Sequence, residues 1–260
     1  MKLYLYNTLN VLIIAIMISA CGKSSEDNSS IVDCSTLNDK YLNMIVFGDS
    51  QSMGVASHIG YCRFSWAYAF SEKNKLNLIN KAIGGTSIDL NSDQGPSQEY
   101  QIKTTSFNQN DLVFWILGFN DAQYNGLDYS KLNNFKKKLE EEIKFMSLKV
   151  SKIYVGTPFK PKKYYFNGSK ESFELYSQAI KDVVNSLNYQ NVELIDVQTN
   201  FEPKEELFDS GLGHLNQEGQ LFLSKFLESN VSLWYNINEI NVLYLFFKIK
   251  YRKGKDIWNT

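Results

Sequence analysis

At 260 residues, with 43% hydrophobic residues and a formal net charge of -1, the chain can bury one substantial core, and a single domain is expected. The lack of a basic excess argues against a nucleic-acid partner. Aromatics are plentiful, 17 Phe and 16 Tyr; most belong in the core, and composition singles none out for a role such as stacking on sugars.

The first element is an export signal, residues 1–20. Lys2 precedes an apolar run, Val11-Leu12-Ile13-Ile14-Ala15-Ile16-Met17. That run has the length of a signal-peptide core and is short for a transmembrane helix. The following Ile18-Ser19-Ala20-Cys21 resembles a bacterial lipobox, in which the cysteine carries lipid. An ordinary cleaved signal or an uncleaved anchor are the alternatives. Residues 21–40 are small and polar, with too little apolar surface to fold, and read as a flexible tether. Gly22 is not the Asp that retains many such lipoproteins at the inner membrane. By that resemblance the outer membrane is favoured in a cell that has one. With Cys21 lipidated, Cys34 and Cys62 remain as an even pair. In an oxidising compartment they form a disulfide or stay as two free thiols.

From residue 41 to 230 the pattern alternates. Short apolar runs at Met44–Phe47, Leu76–Ile79, Leu112–Leu117, Lys152–Gly156 and Val192–Val197 read as strands buried on both faces. Helical periodicity fills 130–150 and 170–187, with a last helix over 217–229. Lys136-Lys137-Lys138 and Glu140-Glu141-Glu142 fall on the solvated side of the first of these. Such alternation predicts an α/β fold, a parallel five-stranded sheet with helices on both faces, whose ligands bind beyond the C-terminal strand ends. Residues 231–260 depart from the pattern. Val242-Leu243-Tyr244-Leu245-Phe246-Phe247, followed by Lys248, Lys250, Arg252, Lys253 and Lys255, either packs on the domain or rests on a membrane surface.

Four segments gather at one predicted sheet edge. Gly48-Asp49-Ser50 follows the first strand, where a strand-to-helix turn exposes a serine hydroxyl. Asn80-Lys81-Ala82-Ile83-Gly84-Gly85 follows the second. Gly118-Phe119-Asn120-Asp121 follows the third, and His214-Leu215-Asn216 comes after the fifth. Ester cleavage by serine needs a base for the hydroxyl proton, preplaced donors for the oxyanion, and a group that holds the imidazolium. Of two histidines, His58 would lie about 12 Å along the same helix as Ser50 at 1.5 Å per residue, out of reach, as a helix-surface residue. His214 remains as base. The donors are the Ser50 N–H, the Gly85 N–H, unobstructed by a Cβ, and the Asn120 side-chain amide. No Gly-x-Ser-x-Gly elbow and no phosphate-loop lysine is present.

In these segments the chain resembles the SGNH, or GDSL-like, hydrolase family over about residues 44–226. The resemblance implies a flavodoxin-like three-layer α/β/α sandwich and acyl-ester hydrolysis without metal or cofactor. It places the nucleophile and one oxyanion donor at Ser50, further donors at Gly85 and Asn120, and the base at His214. Two positions depart from the pattern. Gln51 stands where the family name has Leu. The family's Asp-x-x-His is absent, since Gly211 lies three residues before His214 and the nearest acid, Asp209, lies five before it. Asp209 bulged toward the imidazole, or a backbone carbonyl in a Ser-His dyad, would then orient the base.

The expected protein is a lipid-anchored serine esterase of the cell envelope. Its substrate would be a short acyl ester, acetyl on a glycan above all, because the segments around residues 89–95 and 160–165 are polar with aromatics. A long acyl tail needs a continuous apolar groove, at about 0.8 kcal/mol per buried CH₂. O-acetyl transfer to a sugar, lipase or lysophospholipase activity, and binding on an inactive esterase scaffold are the alternatives.

Overall fold

The computed structural model describes residues 42–56, 59–60, 64–209 and 213–233. The export signal, Cys21, the tether, Cys34, His58, Cys62 and residues 234–260 lie outside them.

Strand β1 (Asn43–Gly48) leads into a single helical turn, α1 (Ser50–Met53), and a short antiparallel pair, β2 (Val55–Ala56) with β3 (Ile59–Gly60). Helix α2 (Trp66–Asn74), strand β4 (Asn77–Asn80) and helix α3 (Gln98–Thr104) follow. Next come β5 (Leu112–Ile116), α4 (Phe119–Asn125), α5 (Tyr129–Ser147) and β6 (Lys152–Gly156). The described chain closes with α6 (Lys170–Leu187), β7 (Val192–Ile195), a turn of helix α7 (Val197–Asn200) and α8 (Gln217–Asn230).

Five strands pair in parallel in the order β4-β1-β5-β6-β7. Numbered by their sequence order within this sheet, that is 2-1-3-4-5, the flavodoxin-like winding. The sheet is buried on both faces, as the apolar runs require. Along β5, Phe114 stacks on Tyr154 (4.6 Å between ring centres) and meets Phe70 of α2. The next residue, Trp115, points the opposite way and donates its indole N–H to Gln98 of α3 (2.7 Å). Alternation at period two therefore feeds two helical layers. Helices α2 and α8 pack together on one face, and α3, α4, α5 and α6 interlock on the other. The result is the three-layer α/β/α sandwich expected. Burial of each large apolar side chain contributes roughly 1.5–3 kcal/mol. Among the described residues no helix is long and apolar enough to cross a membrane.

The strand positions agree with the sequence pattern to within a residue or two, but the helix after Ser50 does not. It ends at Met53, because Gly54 takes a left-handed conformation (φ 92°) and its N–H returns to the Ser50 carbonyl. A Cβ at Gly54 would stand 2.6 Å from the Ser65 Cβ, so the chain must turn there. The expected helix reaching His58 is thus corrected to one turn followed by the β2–β3 pair. The fifth strand also stops early, at Ile195. Asp196 accepts the Thr199 N–H (3.1 Å) and starts α7 instead.

Candidate active site

In a 2-1-3-4-5 sheet the chain leaves β1 toward one side and crosses back to β5 on the other. The loops beyond these two strands diverge and leave a crevice. Ser50 follows β1 and Asn120 follows β5, so both stand at this switch point.

The serine turn is set by its neighbours. Gly48 has φ 147°, and a Cβ there would meet Ser52 Oγ at 2.7 Å and the Ile116 carbonyl at 2.8 Å. Asp49 caps α1 by accepting the Gln51 N–H (2.9 Å) and also accepts the backbone N–H of Asn120. Asp49 is only 2% exposed. Burial pushes its carboxyl up to about 7, against the pull of those two donors. Ser50 is the first residue of the helix, where the N–H has no intrahelical acceptor.

Its hydroxyl meets the imidazole: Ser50 Oγ and His214 Nε2 are 2.8 Å apart. The histidine rides on a narrow hairpin. The Asp209 N–H donates to the His214 carbonyl (2.8 Å), the Asn216 N–H to the Leu207 carbonyl (2.9 Å), and Phe208 bridges Leu215. Two residues more than the family spacing are absorbed there, with Gly213 left-handed (φ 74°). Asp209 turns its carboxylate back toward the ring. Oδ1 accepts the Gly213 N–H (3.2 Å) and Oδ2 lies 3.8 Å from His214 Nδ1. That separation is a charge contact rather than a hydrogen bond. Burial lowers the His214 pKa below the ordinary value of 6.5, and the Asp209 charge opposes part of that shift. The ring is therefore neutral at neutral pH, able to take a proton.

Asn120 and Gly85 are tied through the residue between them in space. The Asn120 side-chain amide donates one hydrogen to the Thr86 carbonyl (2.8 Å), which leaves its second hydrogen for a ligand. Gly85 sits at φ 76°, and a Cβ would come within 3.0 Å of the Ser92 Cβ, so the turn requires glycine. Asn80 links this loop to the serine turn, donating to the Ser52 carbonyl (3.0 Å) and accepting the Ala82 N–H (3.0 Å). Asp121, 1% exposed, accepts the Ile88 N–H (3.2 Å). Its carboxyl is pushed up to about 7 by burial, and the charges of Asp89 and Asp49 add to the rise. Asp49 and Asp121 are supports to which sequence reasoning gave no role. The signal available was their place beside Ser50 and Asn120 within the same short motifs.

All four sequence-derived segments thus converge, with Ser50 and His214 in direct contact and Asn120 beside the Gly85 turn. Beside the serine turn lies a small pocket lined by Asp49, Gln51, Ile116, Leu117, Phe119, Pro158 and Phe159. Gln51, at the departing position, is buried there, with no hydrogen-bond partner for either side-chain polar atom among the described residues. No group of three or more His, Cys, Asp or Glu among the described residues is placed to hold a metal ion.

The sequence profile of the GDSL-like lipase/acylhydrolase family matches residues 46–221, more than half of the chain. No curated protein matches in sequence. Several solved structures share the fold. One is a member of the lipolytic G-D-S-L family from Veillonella parvula, at 18% identity and a TM-score of 0.56, covering 72% of this chain and 97% of that one. Another is a carbohydrate acetylesterase from Sinorhizobium meliloti, at 17% and 0.55, covering 75% and 100%. A third is an acetylxylan esterase from Geobacillus stearothermophilus, at 16% and 0.54, covering 75% and 96%.

Proposed function

The chain belongs to the GDSL-like lipase/acylhydrolase family, and from that premise we propose a serine esterase that removes short acyl groups, acetyl above all, from glycans outside the cytoplasm. The observation that carries this reading is the 2.8 Å contact between Ser50 Oγ and His214 Nε2. Ser50 attacks the ester carbon as His214 Nε2 takes the hydroxyl proton. The oxyanion is held by the N–H groups of Ser50 and Gly85 and the free hydrogen of the Asn120 amide. As the carbon–oxygen bond breaks, His214 returns the proton to the departing alcohol. Water then repeats the sequence on the acyl-serine and releases the acid. Asp209 acts on His214 through its charge, favouring the tautomer with the proton on Nδ1.

Two features favour a short acyl group on a sugar. The loops after β4 and β6 are polar, with exposed Asp89, Asn91, Asp93 and Gln94 in the first and exposed Lys160, Lys162 and Lys163 in the second. Two proteins of the same fold are a carbohydrate acetylesterase and an acetylxylan esterase. The export signal, Cys21 and the tether support a lipid-anchored envelope enzyme.

The test is a kcat/KM series over acetyl, butyryl and octanoyl esters, with mass spectrometry of the acyl-enzyme. Acetyl should be preferred, and Ser50→Ala should abolish the acyl adduct. A rise toward octanoyl, or full activity in Ser50→Ala, overturns the reading.

A further inference from the structure

The loop between β6 and α6 carries an exposed aromatic residue in a conformation it would not adopt alone. Phe166 is 79% exposed and has φ 51°, the left-handed region that non-glycine residues rarely occupy. Leaving a large apolar ring in water and in this region gains nothing for folding. Such strain persists where the surroundings impose it, and it gathers at ligand sites.

The surroundings here are specific. Gln123 of α4 accepts the Tyr165 N–H on its side-chain oxygen (2.8 Å) and the Asn167 N–H on its carbonyl (3.0 Å). Asn167 donates its side-chain amide to the Tyr124 carbonyl (2.7 Å), and the Gly168 N–H returns to the Tyr165 carbonyl (2.8 Å). Three hydrogen bonds therefore clamp residues 165–167 onto α4, and a fourth closes the turn on itself. Held this way, the Phe166 ring lies 5.0 Å from the Tyr124 ring, tilted by 51°.

Tyr124 is four residues after Asn120 on the same helix. The two share a face about 6 Å apart along the axis. The other end of the loop borders the base, since the backbone of Lys162 and Lys163 lies 3.8 Å from where a Cβ of Gly213 would stand. The loop thus runs from beside His214 to the helix that carries Asn120, and Tyr124–Phe166 is its outer edge. Asp49 and Asp93 lie close enough to Tyr124 to help burial raise its phenol pKa, which agrees with a position between the serine turn and the polar loop after β4.

We infer that Tyr124 and Phe166 form a platform on which a pyranose ring stacks, a carbohydrate subsite one ring's length from the reacting ester. This rests on the glycan-ester reading above and assigns it residues. The C–H bonds on one face of a pyranose present positive charge to the negative face of an aromatic ring. The sugar's hydroxyls meet the charged and amide side chains of the polar loops. A fatty chain would want continuous apolar surface, whereas here Asn167 donates to the Tyr124 carbonyl and the charge of Asp93 reaches the Tyr124 phenol.

The direct experiment titrates Ser50→Ala protein with acetylated xylo-oligosaccharide by calorimetry, alone and with Phe166→Ala or Phe166→Tyr added. Phe166→Ala is expected to weaken binding by about tenfold, the worth of roughly one ring contact, and Phe166→Tyr to restore it. In the active enzyme, Phe166→Ala should lower kcat/KM for the oligosaccharide relative to ethyl acetate by a similar factor, through KM. Unchanged binding on ring removal, no oligosaccharide binding at all, or a larger loss on an octanoyl ester than on the oligosaccharide overturns the platform. An enzyme that binds the oligosaccharide through Phe166 yet cleaves no acetyl ester retains the platform and refutes the esterase reading instead.

Discussion

The two halves of the catalytic edge are built differently. The nucleophile half, comprising the Ser50 turn, the loop 80–88 and the start of α4, is cross-linked through buried and half-buried side chains. Asp49 bonds both Gln51 and Asn120, Asn120 bonds Thr86, Asp121 bonds Ile88, and Asn80 bonds Ser52. The base half is one hairpin. Backbone hydrogen bonds and the side chains of its own Asp209 and Asn216 hold it, and its carboxylate stands 3.8 Å from the ring it faces. The proposed donors are thus preorganised by a network of side chains, while the proposed base is placed mainly by backbone pairing, with Asp209 accepting the Gly213 N–H and Asn216 donating to the Glu206 carbonyl, and is tuned by a nearby charge. Networks of this kind lose more than one contact when one member is removed.

The largest effect of the three changes considered is therefore expected in the nucleophile half. Asn120→Ala removes an oxyanion donor and frees the Thr86 carbonyl beside Gly85. Turnover should fall by about 10²–10³, the usual loss for one such donor, with little change in KM. Steady-state kinetics on an acetyl ester measures it, and a loss under tenfold would remove Asn120 from the donor set.

A smaller effect is expected at the base. In a triad with a bonded aspartate, the Asp-to-Asn change costs about 10⁴. Asp209 makes no hydrogen bond to Nδ1, so Asp209→Asn should cost only about 10–100-fold, a charge contribution rather than a lost bond. The pH profile sharpens this. Burial lowers the His214 pKa and Asp209 raises it. Activity requires the neutral ring, so the acid limb of kcat/KM should lie below the ordinary histidine value of 6.5. Loss of the Asp209 charge should move that limb further toward acid. A limb that moves to higher pH in Asp209→Asn contradicts the arrangement.

The smallest effect concerns stability. Folding raises the Asp49 and Asp121 carboxyls to about 7, so the folded state holds these protons more tightly than the unfolded chain. Their burial costs least below the ordinary carboxylate range, and stability declines as pH rises from there through about 7. Asp121→Asn keeps an oxygen to accept the Ile88 N–H but removes one of the two titrations. The fall in Tm between about pH 5 and about pH 8 should shrink in this variant, as measured by calorimetry. An unchanged pH dependence would locate the effect elsewhere.

Much of the fold was legible because its signals are local. Runs such as Met44–Phe47 and Leu112–Ile116 are apolar on both faces, which marks strands of a doubly covered sheet wherever they occur. Helices α5, α6 and α8 announce themselves by apolar steps of three and four. The end of the helix after Ser50 is not legible in the sequence because it depends on Gly54 pressing against Ser65, a contact between segments that periodicity does not record. Asp49 and Asp121 stood in the motifs as plain acids. Their importance comes from near-complete burial, which appears only once β1, β5 and α4 are side by side.

By itself, then, the sequence determined the strand order along the chain, the two-faced burial of the sheet and the meeting of Ser50, Gly85, Asn120 and His214 at one edge. These follow from side-chain periodicity and from the rule that parallel sheets bind ligands beyond their C-terminal ends. Only the tertiary structure decided how far Asp209 stands from His214, which side chains cross-link the donors and that Phe166 is held outward against Tyr124. Those features depend on the closure of loops between residues tens of positions apart. Their distances are set by packing and backbone geometry at the junctions, and no local pattern encodes them.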